Sequence, residues 1–271
     1  MTNEAAYRFD HAITRAPADT AVQGLRAVDT GAPDLTAMRA QHIAYVAALR
    51  EAGMTVCELP PLPAFPDAQF VEDTALCLPG GAIVLRPGAP SRLGEAAEMA
   101  PQLAKFYDRI AHIEGPGHVE GGDILVTAHE VLVGRSARTD AAGIAELRAI
   151  LDGWNYRLRE VTVPPGVLHF KTDCSLLDNT TVLVTPRLAA AGVFAGYRQV
   201  PTAPGEEAAA NAIRVNDVVL FPAGFPATAR RLRGLGYRVV ELEGGEFAKL
   251  DGGMSCLSLR FAAPKASGSA G

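Results

Sequence analysis

The chain has 271 residues, 48% of them hydrophobic and 20% charged, with a formal net charge of -5. This is the composition of an ordinary soluble globular protein, long enough for one domain or two. The negative charge and the lack of a basic stripe argue against a nucleic-acid partner, and no run approaches the roughly 18 apolar residues that span a bilayer.

The opening MTNEAAYRFDHAITRAP has no apolar signal segment. A short strand, HAITRA, begins the fold, and the polar, turn-rich residues 16–34 form a loop over one face. Ala, Met, Tyr, Val and Leu then recur at helical spacing, which predicts a helix over 35–52 stopped by Gly53. MTVCELP is a strand running into the proline-rich PPLPAFPDA. Strands FVEDTALCL and AIVLR follow, parted by Pro79-Gly80-Gly81, and then a helix over 94–109. HIEGPGH leads into DILVTA and EVLVG, joined by a tight turn at His129-Glu130. A helix over 140–152 and the strand YRLREVTVP come after them. The third pair spans 168–184 and turns at Asp178-Asn179. AIRVN and DVVLFP form the fourth, with a helix over 225–235 and the strand YRVVELE behind it, and KLDGGMSCLSLRF closes the fold. The basic run RRLRGLGYR at 230–238 reads as one face of a helix.

The order strand, strand, helix, strand thus recurs along the chain. Such a unit cannot bury both faces alone, and stacking round an axis solves the problem. A doubly wound sheet explains alternating strands and helices, but not the hairpin ahead of each helix. The expected fold class is α/β, with ββαβ-type units arranged radially in a single domain over 1–262. The tail APKASGSAG, 263–271, reads as disordered.

Each unit carries a polar residue at the start of its strand pair: Glu72, Glu120, His169, Asn211 and Cys256, spaced by 48, 49, 42 and 45 residues. If these positions face one centre, a thiol, an imidazole and carboxylates meet there. Cys256 follows Gly252-Gly253, which allow a sharp turn, and its alternation with apolar neighbours fits a half-buried strand. His169 is the one histidine of six at a repeat position. A histidine moves protons near neutral pH, and a thiol needs a base or a depressed pKa to attack, so the two form the natural pair. The other cysteines are weaker candidates: Cys57 and Cys77 read as core, and Cys174 as a neighbour of the site. Four widely spaced cysteines make neither a disulfide framework nor a zinc knuckle, and they fit a reducing compartment.

Glu120 precedes Gly121-Gly122-Asp123, where glycines permit close approach to the backbone. Glu72-Asp73 are adjacent acids, and Asp67 lies five residues earlier. Acids gathered on one axis suggest a cationic partner. Arg86 and Arg138, in RPGAPSR and GRSARTDAAG, each follow a strand, and an arginine fork grips a carboxylate. Together these features describe a pocket for a basic amino acid. No HExxH, GxGxxG or P-loop is present, so neither metal nor nucleotide cofactor is expected.

The segments FVEDTA, RPGAPSR, EGGDILVTAHEVLVG, SARTDAAG, LHFKTDCS, AANAIRVN and LDGGMSC, in this order, closely resemble the dimethylarginine dimethylaminohydrolase family of the guanidine-modifying (pentein) superfamily. The resemblance covers nearly all of 9–261. It implies a five-bladed pseudosymmetric α/β propeller with the active site on its axis and no cofactor. It puts the nucleophile at Cys256, the general acid/base at His169 and the catalytic acid at Glu120. It also implies substrate binding by Glu72 and Asp73 at the guanidinium end, by Asp67 as a further acid, and by Arg86 and Arg138 at the α-carboxylate. Leu250 matches a position whose backbone meets substrate, and Leu25 lies in the lid segment. The implied reaction hydrolyses Nω-methylated arginine to citrulline and an amine through a covalent cysteine intermediate. Arginine deiminases share the chemistry but usually carry a helical insertion for which this chain has no room. A binding-only propeller would have no use for the Cys-His-Glu set. The implied enzyme is cytoplasmic, takes a small cationic amino acid, and leaves a homodimer open. Asp173 is an added acid that could pair with Lys171.

Overall fold

The computed structural model describes residues 6–263. All of the expected tail except Ala263 lies outside them, and the Ala263 N–H donates to Asp10. The N-terminal segment supplies β1 (His11–Arg15), α1 (Leu35–Glu51) and β2 (Thr55–Leu59). Four units follow, each with two antiparallel strands, a helix, and a third strand parallel to the second. The first has β3 (Ala75–Leu78), β4 (Gly81–Val84), α2 (Glu95–Leu103) and β5 (Ile110–His112). The second has β6 (Ile124–Val126), β7 (Val131–Arg135), α3 (Ala141–Gly153) and β8 (Leu158–Thr162). The third has β9 (Cys174–Leu176), β10 (Thr181–Val184), α4 (Pro186–Ala190) and β11 (Arg198–Pro201). The fourth has β12 (Ile213–Val215), β13 (Val218–Pro222), α5 (Pro226–Gly234) and β14 (Arg238–Leu242). The short α6 (Gly245–Ala248) and β15 (Leu259–Phe261) end the chain.

β15 returns to β1, pairing antiparallel with Ile13 opposite Leu259, and β1 pairs in parallel with β2. The two chain ends therefore build a fifth sheet of the same pattern, β15-β1-β2, and the ring closes with one strand from the far terminus. The result is a five-bladed α/β propeller. Apolar clusters fill the spaces between the blades. One packs α1 residues Met38, Tyr45 and Leu49 against Val215, Leu220 and Leu257. Another packs Phe170 and Phe194 beneath the third sheet.

Local chemistry sets the element ends. Asp34 caps α1 through the Ala37 N–H, Asp140 caps α3 through Gly143, and Thr185 caps α4 through Leu188. Gly53, with φ of 90°, ends the α1 region as expected. The 94–109 helix is shorter than the sequence suggests and stops at Leu103. Phe106 and Tyr107 instead pack on Phe261, edge-on and tilted, with ring centroids at 5.1 and 5.3 Å. α4, β11 and α6 had no clear periodic signal, because each is only four or five residues long.

The fourth hairpin turns through Asn216-Asp217, with Asn216 at φ 52°. The Asn216 side chain accepts from the Phe9 N–H and donates to the carbonyls of Phe9 and Ala52. It thus ties the fourth blade to the closing one. Asn216→Ala removes these three bonds and replaces a residue that tolerates the left-handed region with one that tolerates it less, so we expect a loss of about 3 kcal/mol. A lowered urea midpoint at unchanged m-value is the measurement that checks it.

Candidate active site

A 3-10 turn leads into the innermost strand of each blade: Val71–Thr74, Gly121–Asp123, Phe170–Thr172, Glu207–Ala210 and Ser255–Leu257. These turns crowd around the axis, and neighbouring backbones touch. A Cβ on Gly121 would lie 1.9 Å from the Glu72 carbonyl oxygen, and one on Gly122 would lie 2.7 Å from His169 Nδ1. VEDT and SCL, read as strand from their apolar alternation, are therefore turns. The two glycines before Cys256 serve packing more than turning. Neither has a positive φ, but a Cβ on Gly252 would strike Phe70 and one on Gly253 would strike the Asn211 side chain. Asn211 itself accepts the Ser255 N–H at 2.9 Å, which makes it a scaffold for the cysteine turn.

On one side of the turns lies a pocket into which Cys256, His169, Asp73, Asp67, Arg138 and Arg92 project. Leu25 and Leu250 wall it. Beneath His169 sits Glu120, fully buried, with its Oε2 2.5 Å from His169 Nε2. The other oxygen of Glu120 accepts the Gly88 N–H at 2.9 Å and Arg138 NH1 at 3.3 Å. Burial opposes charge on the imidazole, but Asp73, Glu120 and Asp123 outweigh it and raise its pKa to about 9. Burial would raise Glu120 too, yet the bond and charge of His169, backed by Arg92 and Arg138, hold it down at about 2. Both shifts describe an imidazolium paired with a carboxylate at neutral pH, with Nδ1 as the nitrogen not engaged by Glu120.

Asp73 accepts the Gly122 N–H at 2.8 Å through one oxygen and Arg92 NH1 at 2.6 Å through the other. Arg92 in turn is gripped by Glu95 through Nε and NH2. The Cys256 sulfur accepts the Gly253 N–H at 3.4 Å. Burial, with Glu72 and Asp73 adding to it, pushes the thiol up to about 12. Burial and these acids therefore favour the protonated thiol at neutral pH. Cys174, one turn past His169, donates to the Phe170 carbonyl, and burial pushes its thiol up as well.

Two expected substrate residues lie elsewhere. Glu72 sits in the floor under the pocket, where Lys171 Nζ at 2.6 Å, Arg260 NH2 at 2.8 Å and Ser255 Oγ at 2.7 Å occupy its oxygens. Its charge is already matched there. Arg86 turns away from the pocket, with NH1 2.8 Å from His118 Nδ1, and its backbone bridges Val119. The arginine of that segment that lines the pocket is Arg92. Sequence reasoning passed over it, although the Arg92–Glu95 spacing at i,i+3 was a readable sign of a buried pair. Lys171 is spent on Glu72, and Asp173 is held by Arg187 at 2.6 and 2.7 Å, so Asp173 and Lys171 do not pair. The 16–34 segment folds over the pocket mouth. Leu25 N–H donates to Asp67 at 3.0 Å and Ala27 N–H to Asp251 at 2.5 Å. Burial raises the Asp67 carboxyl above its ordinary range.

Asp73, Glu120 and His169 bring ligand atoms within 4.8 Å of one another. Each is already committed to an arginine, an amide or its neighbour in the set, and the imidazolium repels a cation. The group suits proton transfer better than metal binding.

A buried carboxylate–imidazolium pair beside a thiol, on the axis of a five-bladed α/β propeller, defines the guanidine-modifying class of folds. Residues 62–213 match the arginine deiminase family. The chain is 39% identical to an N(G),N(G)-dimethylarginine dimethylaminohydrolase of Pseudomonas aeruginosa, covering 93% of this chain and all of that one. A Streptomyces coelicolor protein of the same name is 35% identical over 82% of this chain and 84% of its own. The Pseudomonas enzyme solved with citrulline superposes with a TM-score of 0.91 at 39% identity, covering 94% of this chain and 100% of that one. The N-terminal domain of a cyanobacterial arginine dihydrolase shares the fold, with a TM-score of 0.83 at 17% identity over 94% of this chain and 98% of that one. The chain belongs to the dimethylarginine dimethylaminohydrolase family.

The His169–Glu120 pair has a defined pH window. The histidine's contribution to stability is complete below its ordinary 6.5 and fades as pH rises through about 9. The contribution of Glu120 is complete above 4.5 and fades as pH falls through about 2. Glu120→Gln should move the His169 ring titration, followed by NMR, down by about one unit or more. An unmoved midpoint would show that Glu120 does not hold the charge.

Proposed function

We propose that the chain hydrolyses Nω-methylated L-arginine to L-citrulline and dimethylamine or methylamine. The carrying observation is that Cys256 and a His169 held on Glu120 line one pocket, in a chain 39% identical over nearly its whole length to an enzyme of that name. Asp73 and Asp67 face the substrate guanidinium. Arg138 faces the α-carboxylate, since among the described residues its side chain makes one hydrogen bond, to Glu120. Arg92 sets the edge of the pocket, with its fork spent on Glu95 and Asp73.

The guanidinium brings a positive charge beside the sulfur, opposing Asp73 and Glu72, and so stabilises the thiolate. The thiol proton leaves to solvent. The thiolate attacks the central guanidinium carbon, forming a C–S bond. The imidazolium of His169 gives its proton to the departing amine as the C–N bond breaks, and an S-alkylthiouronium remains. His169, now neutral, takes a proton from water, whose oxygen adds to the same carbon. The C–S bond then breaks as the added hydroxyl loses its proton to solvent and becomes the ureido carbonyl, releasing citrulline, the thiolate and a recharged imidazole. One residue serves as acid and then as base, and Glu120 keeps its charge throughout.

The decisive assay offers asymmetric dimethylarginine, monomethylarginine and arginine separately, measuring citrulline and amine together. Dimethylamine in equal amount to citrulline is the expected result, whereas ammonia from arginine as the fastest product would make the enzyme a deiminase. Cys256→Ser should lower citrulline formation by at least about a thousandfold while the variant stays folded; retained turnover would remove Cys256 as nucleophile. Arg138→Ala should raise KM about tenfold or more with a smaller change in kcat, and unchanged inhibition by citrulline would reject the carboxylate role.

A further inference from the structure

The axis continues past the floor of the pocket into a second cavity, of about 130 Å³. The innermost strand of every blade, β3, β6, β9, β12 and β15, contributes residues to its wall. Glu72, Lys171 and Ser255 are in its lining, and Ser255 precedes Cys256 in the same 3-10 turn. Of the residues the sequence assigns to the reaction, only Glu72 lines this lower space.

Its charge is unbalanced. Lys171, Arg260 and Arg214 line it against one carboxylate, Glu72. Glu72 is shared by Lys171 and Arg260. Arg214 has no carboxylate partner among the described residues. It donates to the carbonyls of Asn216 and Leu177 and lies against the rings of Tyr7 and Tyr237. A second observation is independent of charge. The Ser175 hydroxyl, on β9, lines the same cavity, is 6% exposed as a residue, and finds no hydrogen-bond partner. An orphaned buried hydroxyl in a cavity with an unmatched arginine marks a place where a solvent species or ion completes the structure. A water molecule's share of liquid is about 30 Å³, so the space holds one small anion and its waters.

We propose that this axial cavity is a binding site for a small anion, a halide or a single carboxylate or phosphate group. Ser175 donates its hydroxyl proton to the ion, and Arg214, Lys171 and Arg260 balance its charge. The three cations draw on different blades, β12, the third 3-10 turn and β15, so the ion pins three blades at the centre of the ring. It sits across the Glu72 floor from Cys256. An ion that competes with Glu72 for Lys171 and Arg260 acts on the floor of the reacting pocket without entering it.

The test reads binding and not turnover, so it stands apart from the proposed reaction. The protein is stripped of small anions in a zwitterionic buffer and titrated with sodium chloride, acetate or phosphate, following its thermal midpoint. A saturable rise is expected for at least one ion, and the ion that saturates at the lowest concentration identifies the natural class. Ser175→Val keeps the strand shape but removes the donor, and Arg214→Gln removes the unmatched charge without touching Glu72. Each should raise the half-saturating concentration tenfold or more. Crystals grown with bromide should show an anomalous peak within hydrogen-bond reach of Ser175 Oγ. The proposal fails if stabilisation rises without saturation and equally in all three proteins, or if bromide leaves the axial cavity empty.

Discussion

Buried carboxylates on the propeller axis are the constraint to which the rest of the structure answers. Asp67, Asp73, Glu120, Asp123, Glu72 and Glu95 are all nearly inaccessible, and a buried charge without a partner costs several kcal/mol. The structure supplies partners blade by blade: Arg92 for Asp73 and Glu95, Arg138 and His169 for Glu120, Lys171 and Arg260 for Glu72. Asp123 is satisfied by the Ser136 hydroxyl and the Phe170 N–H. Asp67 is left with the Leu25 N–H of the overlying loop. The surplus negative charge therefore faces the pocket and its mouth, where a guanidinium would enter.

The same charges tune the reacting groups in opposite directions. Carboxylates raise His169 to about 9 and keep it charged at neutral pH, while those around Cys256 help hold its thiol at about 12. The pocket thus holds a charged imidazole beside a protonated thiol. In the proposed reaction a bound cation would oppose the acids that hold the thiol up. This arrangement needs Glu120 to remain ionised under His169, and its three hydrogen bonds in a fully buried site secure that.

The structure separates two tasks that look alike in sequence. Glu72 and Asp73 are neighbours in the chain and both acidic. Because they lie in a 3-10 turn, their side chains diverge: Asp73 reaches the upper pocket and Glu72 the floor shared with the axial cavity. Arg86 and Arg92 in one short segment divide similarly. Arg86 follows β4 and is held by the 116–118 loop, while Arg92 ends a 3-10 turn and points back beneath Phe70.

The blade count, the order of elements and the repeat positions of Glu120, His169 and Cys256 are legible in the chain, because each rests on local or periodic information. Hairpin turns, capping residues and helical spacing repeat from blade to blade, and Glu120, His169 and Cys256 recur at matching places in that repeat. Only the tertiary structure decided which way the polar residues of the axial turns face. A one-residue shift within a tight turn exchanges pocket for floor, and no alternation pattern records it. The partners of Glu72, Asp173 and Arg92 likewise come from other blades or from short turns without periodicity, so their pairing appears only when the ring is closed. That closure also creates the second cavity, whose walls are five strands spread over the length of the chain.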